Sequence, residues 1–135
     1  MKILNYFPLF AFVLAAYCGL YSIGFFPGNL NVIPITVGLP SGVSWKPTWG
    51  DFFLMGGILV LFLELFKSTR TSAVTIIDHI LSTFVLVAFL VVWLIYEWAG
   101  NSVFLILTMM TFLDVLAGFT ITISSARRDI GLGGH

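Results

Sequence analysis

Charge is what this sequence has least of. Asp, Glu, Lys and Arg make up 9% of its 135 residues, against 59% hydrophobic. A soluble domain carries about 25% charge. The mean hydropathy is +1.08. A chain this apolar has no water-compatible surface to present, so its solvent is a bilayer. Net charge is zero, and no basic cluster exists to grip a nucleic acid. The single cysteine, Cys18, excludes an internal disulfide. Two histidines, His79 and His135, fall short of a metal-ligand set. Enzyme signatures are missing too: no G-x-S-x-G, no H-E-x-x-H, no phosphate-cradling glycine loop. A membrane enzyme would therefore have no nameable nucleophile, base or metal.

What is present is long apolar runs. A helix crossing the hydrocarbon needs about 20 such residues. Four stretches qualify, at about 4–26, 48–66, 73–98 and 102–125. The first follows Lys2, as a secretory signal would, but no A-x-A cleavage site comes after it, so it reads as an uncleaved span. Pro27 and Gly28 are expected to end it. Between spans one and two lies "GNLNVIPITVGLPSGVSWKPTW", about 22 residues. Its β-branched residues and the "LPSG" turn signal suggest a short extended pair or a folded-back lid. The prolines at 34, 40 and 47 argue against helix there. Spans three and four are joined by "GNS", a connection that fits only antiparallel neighbours.

With four spans, Lys2, Lys67, Arg70, Arg127 and Arg128 fall on one side and only Lys46 on the other. The positive-inside rule then puts both termini in the cytoplasm and the long loop outside. Trp45, Trp49, Trp93, Tyr96 and Trp98 are expected in the outer aromatic belt and Tyr6 in the inner one. The expected fold is a single all-α membrane domain over 1–135, a four-transmembrane-helix bundle. A bacterial inner membrane, with the loop periplasmic, is the expected location. The tail "SSARRDIGLGGH" is expected to be short and loose at its glycines.

The few ionisable groups are the candidate functional residues. Glu64 lies three residues before Lys67, which suits an ion pair at helical spacing near the inner rim. Asp78 and His79 open the third span and suit an exposed pair at the same rim. A pH-responsive contact between His79 and Glu64 is the functional alternative. Glu97 suits solvated headgroup contact. Asp114 differs from all of these. It stands near the middle of the fourth span, where insertion of an aspartate costs about 2.5–3.5 kcal/mol. No Lys or Arg lies at that depth within a span. Desolvation penalises the charged form, and either form needs a hydrogen-bond partner.

Thr111, Asp114, Gly118, Thr122 and Ser125 recur at helical steps and form one polar, small-residue face. Phe112, Leu116 and Phe119 form the opposite side. Asp114 is thus expected to face the bundle interior and bond to Tyr17, placed at the same depth, or to a partner chain. Small residues mark close packing: Ala11, Ala15 and Gly19 on the first span, Gly56 and Gly57 on the second, Gly118 on the fourth. Met109, Met110 and Cys18 read as packing residues.

Two functions follow. The first is a non-catalytic integral membrane subunit packing in a homo-oligomer, or as an accessory or assembly subunit of a larger complex. The second is a small proton- or ion-coupled carrier or channel using Asp114, with Glu64, Asp78 and His79 near its inner exit. No cofactor or metal is indicated, since a lone His79 is more often structural than a haem or pigment ligand. Bound lipid is compatible with the composition. The expected partners are membrane lipids and other membrane subunits or further copies of this chain.

Overall fold

The structure is a computed structural model that describes residues 7–69 and 73–133, with the backbone alone at 73–75, 122 and 124–133. Lys2, Tyr6, Arg70 and the start of the expected first span at 4–6 lie outside the described residues, as do the side chains of Thr122, Ser125, Arg127 and Arg128. The structure is 70% helical, with four α-helices among the described residues. They are α1 (Leu9–Ser22), α2 (Trp49–Ser68), α3 (Ala73–Ile95) and α4 (Ser102–Gly133). A hairpin of β1 (Val37–Gly38) and β2 (Ser44–Trp45) lies between α1 and α2, and one 3-10 turn, Glu97–Ala99, lies between α3 and α4. Within α2, α3 and α4, the segments Trp49–Ser68, Ile76–Ile95 and Ser102–Ile121 are long and apolar enough to cross a membrane. These apolar helices mark a membrane-embedded protein whose outer surface meets lipid.

The first helix is shorter than its apolar run. Its 14 residues reach only about 21 Å at 1.5 Å per residue. Pro8, extended at φ −69° and ψ 128°, sets its start. Its end is set by Gly24, not by Pro27. Gly24 has φ +81°, the left-handed conformation that favours glycine. The Phe25 N–H donates to the Leu20 carbonyl (2.8 Å) and the Gly24 N–H to that of Tyr21 (3.0 Å). This is the Schellman arrangement that closes a helix on glycine.

The second helix starts on a capping box. The Asp51 N–H donates to Thr48 Oγ1 (3.1 Å), and the Thr48 N–H to Asp51 Oδ2 (3.0 Å). The third ends at Ile95, three residues before the expected Trp98. The fourth continues through the basic tail to Gly133, well beyond the expected 125, so the segment to that glycine is helix. Its N-cap is Asn101, whose Oδ1 accepts from the Phe104 N–H (2.9 Å).

The hairpin turns at "LPSGV". Gly42, at φ +91°, takes the left-handed position of a three-residue loop. Val37 pairs with Trp45 and Gly38 with Ser44. The N–H groups of Trp49 and Gly50, which the helix leaves free, donate to the carbonyls of Val32 and Leu30, both at 3.0 Å. The connecting segment is thereby tied to the start of α2.

In the bundle α4 packs against α2 on one side and α3 on the other, while α1 closes the remaining side between α2 and α3. Helices α2 and α4 run parallel. Gly50 lies against Val103, and Gly57 against Leu107 and Met110. A Cβ at Gly57 would stand 2.7 Å from Leu107 Cδ2 and 3.0 Å from Met110 Sδ, so any side chain there must displace the ends of these two. The middle of the bundle is aromatic, built on Phe10, Tyr17, Phe89 and Phe104. Tyr17 lies edge-on to Phe104, with centroids 5.0 Å apart.

Candidate functional site: an ionic clasp at one end of the bundle

Polar side chains gather at two levels, separated by the aromatic core. The first level is at the start of α1 and the end of α2. Glu64 is 1% exposed, although it sits one turn from the end of its helix. It is buried because Gly50, Gly57 and Glu64, seven residues apart, form the buried stripe of α2, and a seven-residue step returns to the same helix face. Glu64 Oε1 accepts the Leu9 N–H at 2.7 Å. Pro8 provides no side-chain cap to α1, so a carboxyl from α2 takes that place. An acid there also complements the positive end of the α1 dipole.

Lys67, one turn on, binds three groups. Its Nζ lies 3.2 Å from Glu64 Oε1 and 3.1 Å from Asp78 Oδ1. It also donates to the Phe7 carbonyl at 2.7 Å. Asp78, 5% exposed, comes from α3. The expected exposed rim pair is therefore corrected: Asp78 turns inward because the single ammonium that answers it belongs to α2. One lysine thus ties α2 to α3 and to Phe7, two residues before α1.

Asp114 completes the group from α4. It is 4% exposed and neighbours Glu64. The expected bond to Tyr17 is absent. That pairing assumed a helix over 4–26, with Tyr17 at its midpoint. Because α1 starts at Leu9 and ends at Ser22, Tyr17 belongs to the other level. Its hydroxyl donates to the Trp98 carbonyl (2.8 Å) and accepts from Asn101 Nδ2 (2.8 Å). Asn101 caps α4 and fastens Tyr17 with opposite ends of one amide. The sequence reading missed Asn101, whose signal was its place just before an apolar helical run.

Thr111 is buried beside Asp114, but its hydroxyl donates to the Thr108 carbonyl of its own helix at 2.6 Å. Its neighbour Thr108 does likewise to Phe104 (2.9 Å). Helix α4 turns Thr111, Asp114 and Gly118 inward and leaves Phe112, Leu116 and Phe119 on the outside.

His79 does not reach Glu64. Its ring lies over Gly118, where an added Cβ would come within 2.6 Å of His79 Cε1, and edge-on to Phe119 at 4.2 Å. Its Nε2 is buried and unpartnered among the described residues. The pH-responsive His79–Glu64 contact is therefore replaced by a packing contact between α3 and α4. Among the described residues no group of three acidic, histidine or cysteine side chains is arranged to hold a metal ion.

The small-residue positions divide. Gly57 and Gly118 are in close packing, whereas a Cβ at Gly19 or Gly56 would meet nothing within 4 Å. Ala15 is exposed and Ala11 half-buried. The Ala11, Ala15 and Gly19 ladder is thus turned mainly outward, because α1 packs through Phe10 and Tyr17. Beside it, α1 and α2 leave an apolar groove of about 370 Å³ lined by Phe12, Val13, Ala16, Phe53, Gly56 and Val60 among others. No family model, curated protein or solved structure matches the chain.

Proposed function

We propose that this chain is a non-catalytic integral membrane subunit that packs against other membrane proteins, either as a homo-oligomer or as an accessory or assembly part of a larger complex. The observation that carries this reading is the use made of its ionisable groups. Glu64, Lys67, Asp78 and Asp114 contact one another across α2, α3 and α4, and fasten the start of α1. Side chains spent on mutual contacts serve to hold helices together. The outward small residues Ala15, Gly19 and Gly56 support the docking half of the reading, since such positions let a second helix approach closely. The proposed arrangement has both termini cytoplasmic, from the distribution of basic residues, in a bacterial inner membrane.

Blue-native electrophoresis and native mass spectrometry in a mild detergent test it. The expected species is larger than a monomer or carries a co-purifying membrane protein. A strictly monomeric species with no companion overturns the proposal.

A proton- or ion-coupled carrier centred on Asp114 is the second reading, favoured by the neighbouring carboxyls of Asp114 and Glu64. The aromatic core weighs against a continuous path, because Phe10, Phe89 and Phe104 are at most 1% exposed. Proton flux into liposomes decides this reading: flux that is absent, or unchanged in Asp114→Asn, removes it.

A further inference from the structure

The hairpin after α1 carries an apolar face that none of the other described residues covers. Val37 and Trp45 are cross-strand partners, and partners share a face of the ladder. The Leu39 N–H donates to the Val43 carbonyl at 2.9 Å, which extends the pairing by one step. In the irregular segment that leads in, Ile33 and Ile35 continue the alternation of the sequence at every second position. These six residues are each between 37% and 60% exposed. From Pro27 to Thr48 the only charged residue is Lys46.

Two constraints bound where such a segment rests. Six half-exposed large apolar side chains are costly in water. A hairpin of two paired residues per strand is also marginal there. Hydrocarbon is equally unsuitable, since unpaired backbone groups along 33–36 would have no water to bond. The headgroup–acyl boundary alone meets both conditions, with apolar contact on one side and water on the other.

The hairpin also leads directly onto the lipid-facing flank of α2. The rings of Trp45 and Phe52 are 6.5 Å apart, and Trp49, Met55 and Leu59 continue the exposed apolar surface along that helix. Tryptophan is the residue most at home at this depth.

We infer that the hairpin lies in the membrane interface beside the start of α2, with Val37, Leu39, Val43 and Trp45 against the lipid. Its partner is the bilayer itself. The inference stands whether or not the chain serves as a subunit.

Nitroxide labels placed singly at Leu39→Cys, Val43→Cys and Ser41→Cys in a Cys18→Ser background, in proteoliposomes, test this. Labels at 39 and 43 should be open to oxygen and several-fold less open to a water-soluble nickel chelate than the label at 41. Equal chelate access at all three positions overturns the inference, placing the face in water. Immobilised labels at 39 and 43, closed to both reagents, also overturn it, placing the face against protein. Brominated lipids give a second reading without cysteines. Trp45→Phe should remove part of the quenchable tryptophan emission, and quenching that is unchanged by this substitution contradicts the inference.

Discussion

Glu64, near the end of α2, accepts the first backbone N–H of α1 at Leu9, 2.7 Å away. A helix normally finds its cap in the residue just before it. Here that residue is Pro8, whose side chain cannot accept a hydrogen bond. The cap comes instead from 55 residues further along the chain, and it also serves as the counter-charge of Lys67. The start of α1 is therefore set by Pro8 but capped by tertiary structure, and a change at Glu64 or Lys67 acts on three helices together.

Lys67→Met should be the most damaging single change in this group. It leaves Glu64 and Asp78 buried without their cation, and breaking a buried pair costs about 3–5 kcal/mol. Adding Glu64→Gln and Asp78→Asn to it should recover much of that loss. Reversible unfolding in mixed detergent–lipid micelles, followed by circular dichroism, measures both steps. A Lys67→Met protein as stable as the parent would show that the clasp contributes nothing.

Asp114→Asn should be tolerated, changing stability by no more than about 1 kcal/mol. The amide keeps the shape, remains a polar neighbour of Glu64 and removes one of two neighbouring acids. Asp114→Leu should cost more, because it strips Glu64 of a polar neighbour. If the same unfolding assay ranks Asn as badly as Leu, the carboxyl has a role that the contact with Glu64 does not supply.

At the other level, Tyr17→Phe removes one hydroxyl and leaves the Asn101 amide and the Trp98 carbonyl only their longer bond to each other, 3.4 Å. Hydrogen bonds between membrane helices average about 0.6 kcal/mol, with a maximum near 1.7, so a loss in that range is expected. Asn101→Ala should cost more, since it also removes the N-cap of α4, typically about 1 kcal/mol. A double-mutant cycle should give a coupling smaller than the Tyr17→Phe loss, because the bond to the Trp98 carbonyl survives Asn101→Ala, and full additivity would deny the Tyr17–Asn101 contact.

The adjacent glycines of α2 should part company. Gly57→Leu forces a side chain into Leu107 and Met110, and overpacking costs about 1–3 kcal/mol. Gly56→Ala should be neutral or stabilising by up to about 1 kcal/mol, since it meets open space and improves helix propensity. Equal stability losses at the two positions would contradict the packing of α2 on α4.

Much of the local structure was legible in the residues. The apolar runs mark the helices. Thr48 and Asp51, three apart, spell the cap of α2, and "LPSG" spells the hairpin turn. The break expected at Pro27 and Gly28 comes earlier, at Gly24. In a run of large apolar residues, length alone carries no stop signal, so the expected span overruns α1. That one error moved Tyr17 to the depth of Asp114.

The sequence by itself determined the medium this chain occupies, the number of its helices and most of their caps, because these depend on composition and on neighbours within one turn. Tertiary structure decided which ionisable groups meet. Glu64 finds Asp114 because α2 and α4 run parallel in one particular register, set where Gly50 and Gly57 let the helices close together. Gly56 and Gly57 are indistinguishable as letters. A rotation of about 100° along the helix puts one against α4 and the other toward the open groove, and no local rule fixes that angle.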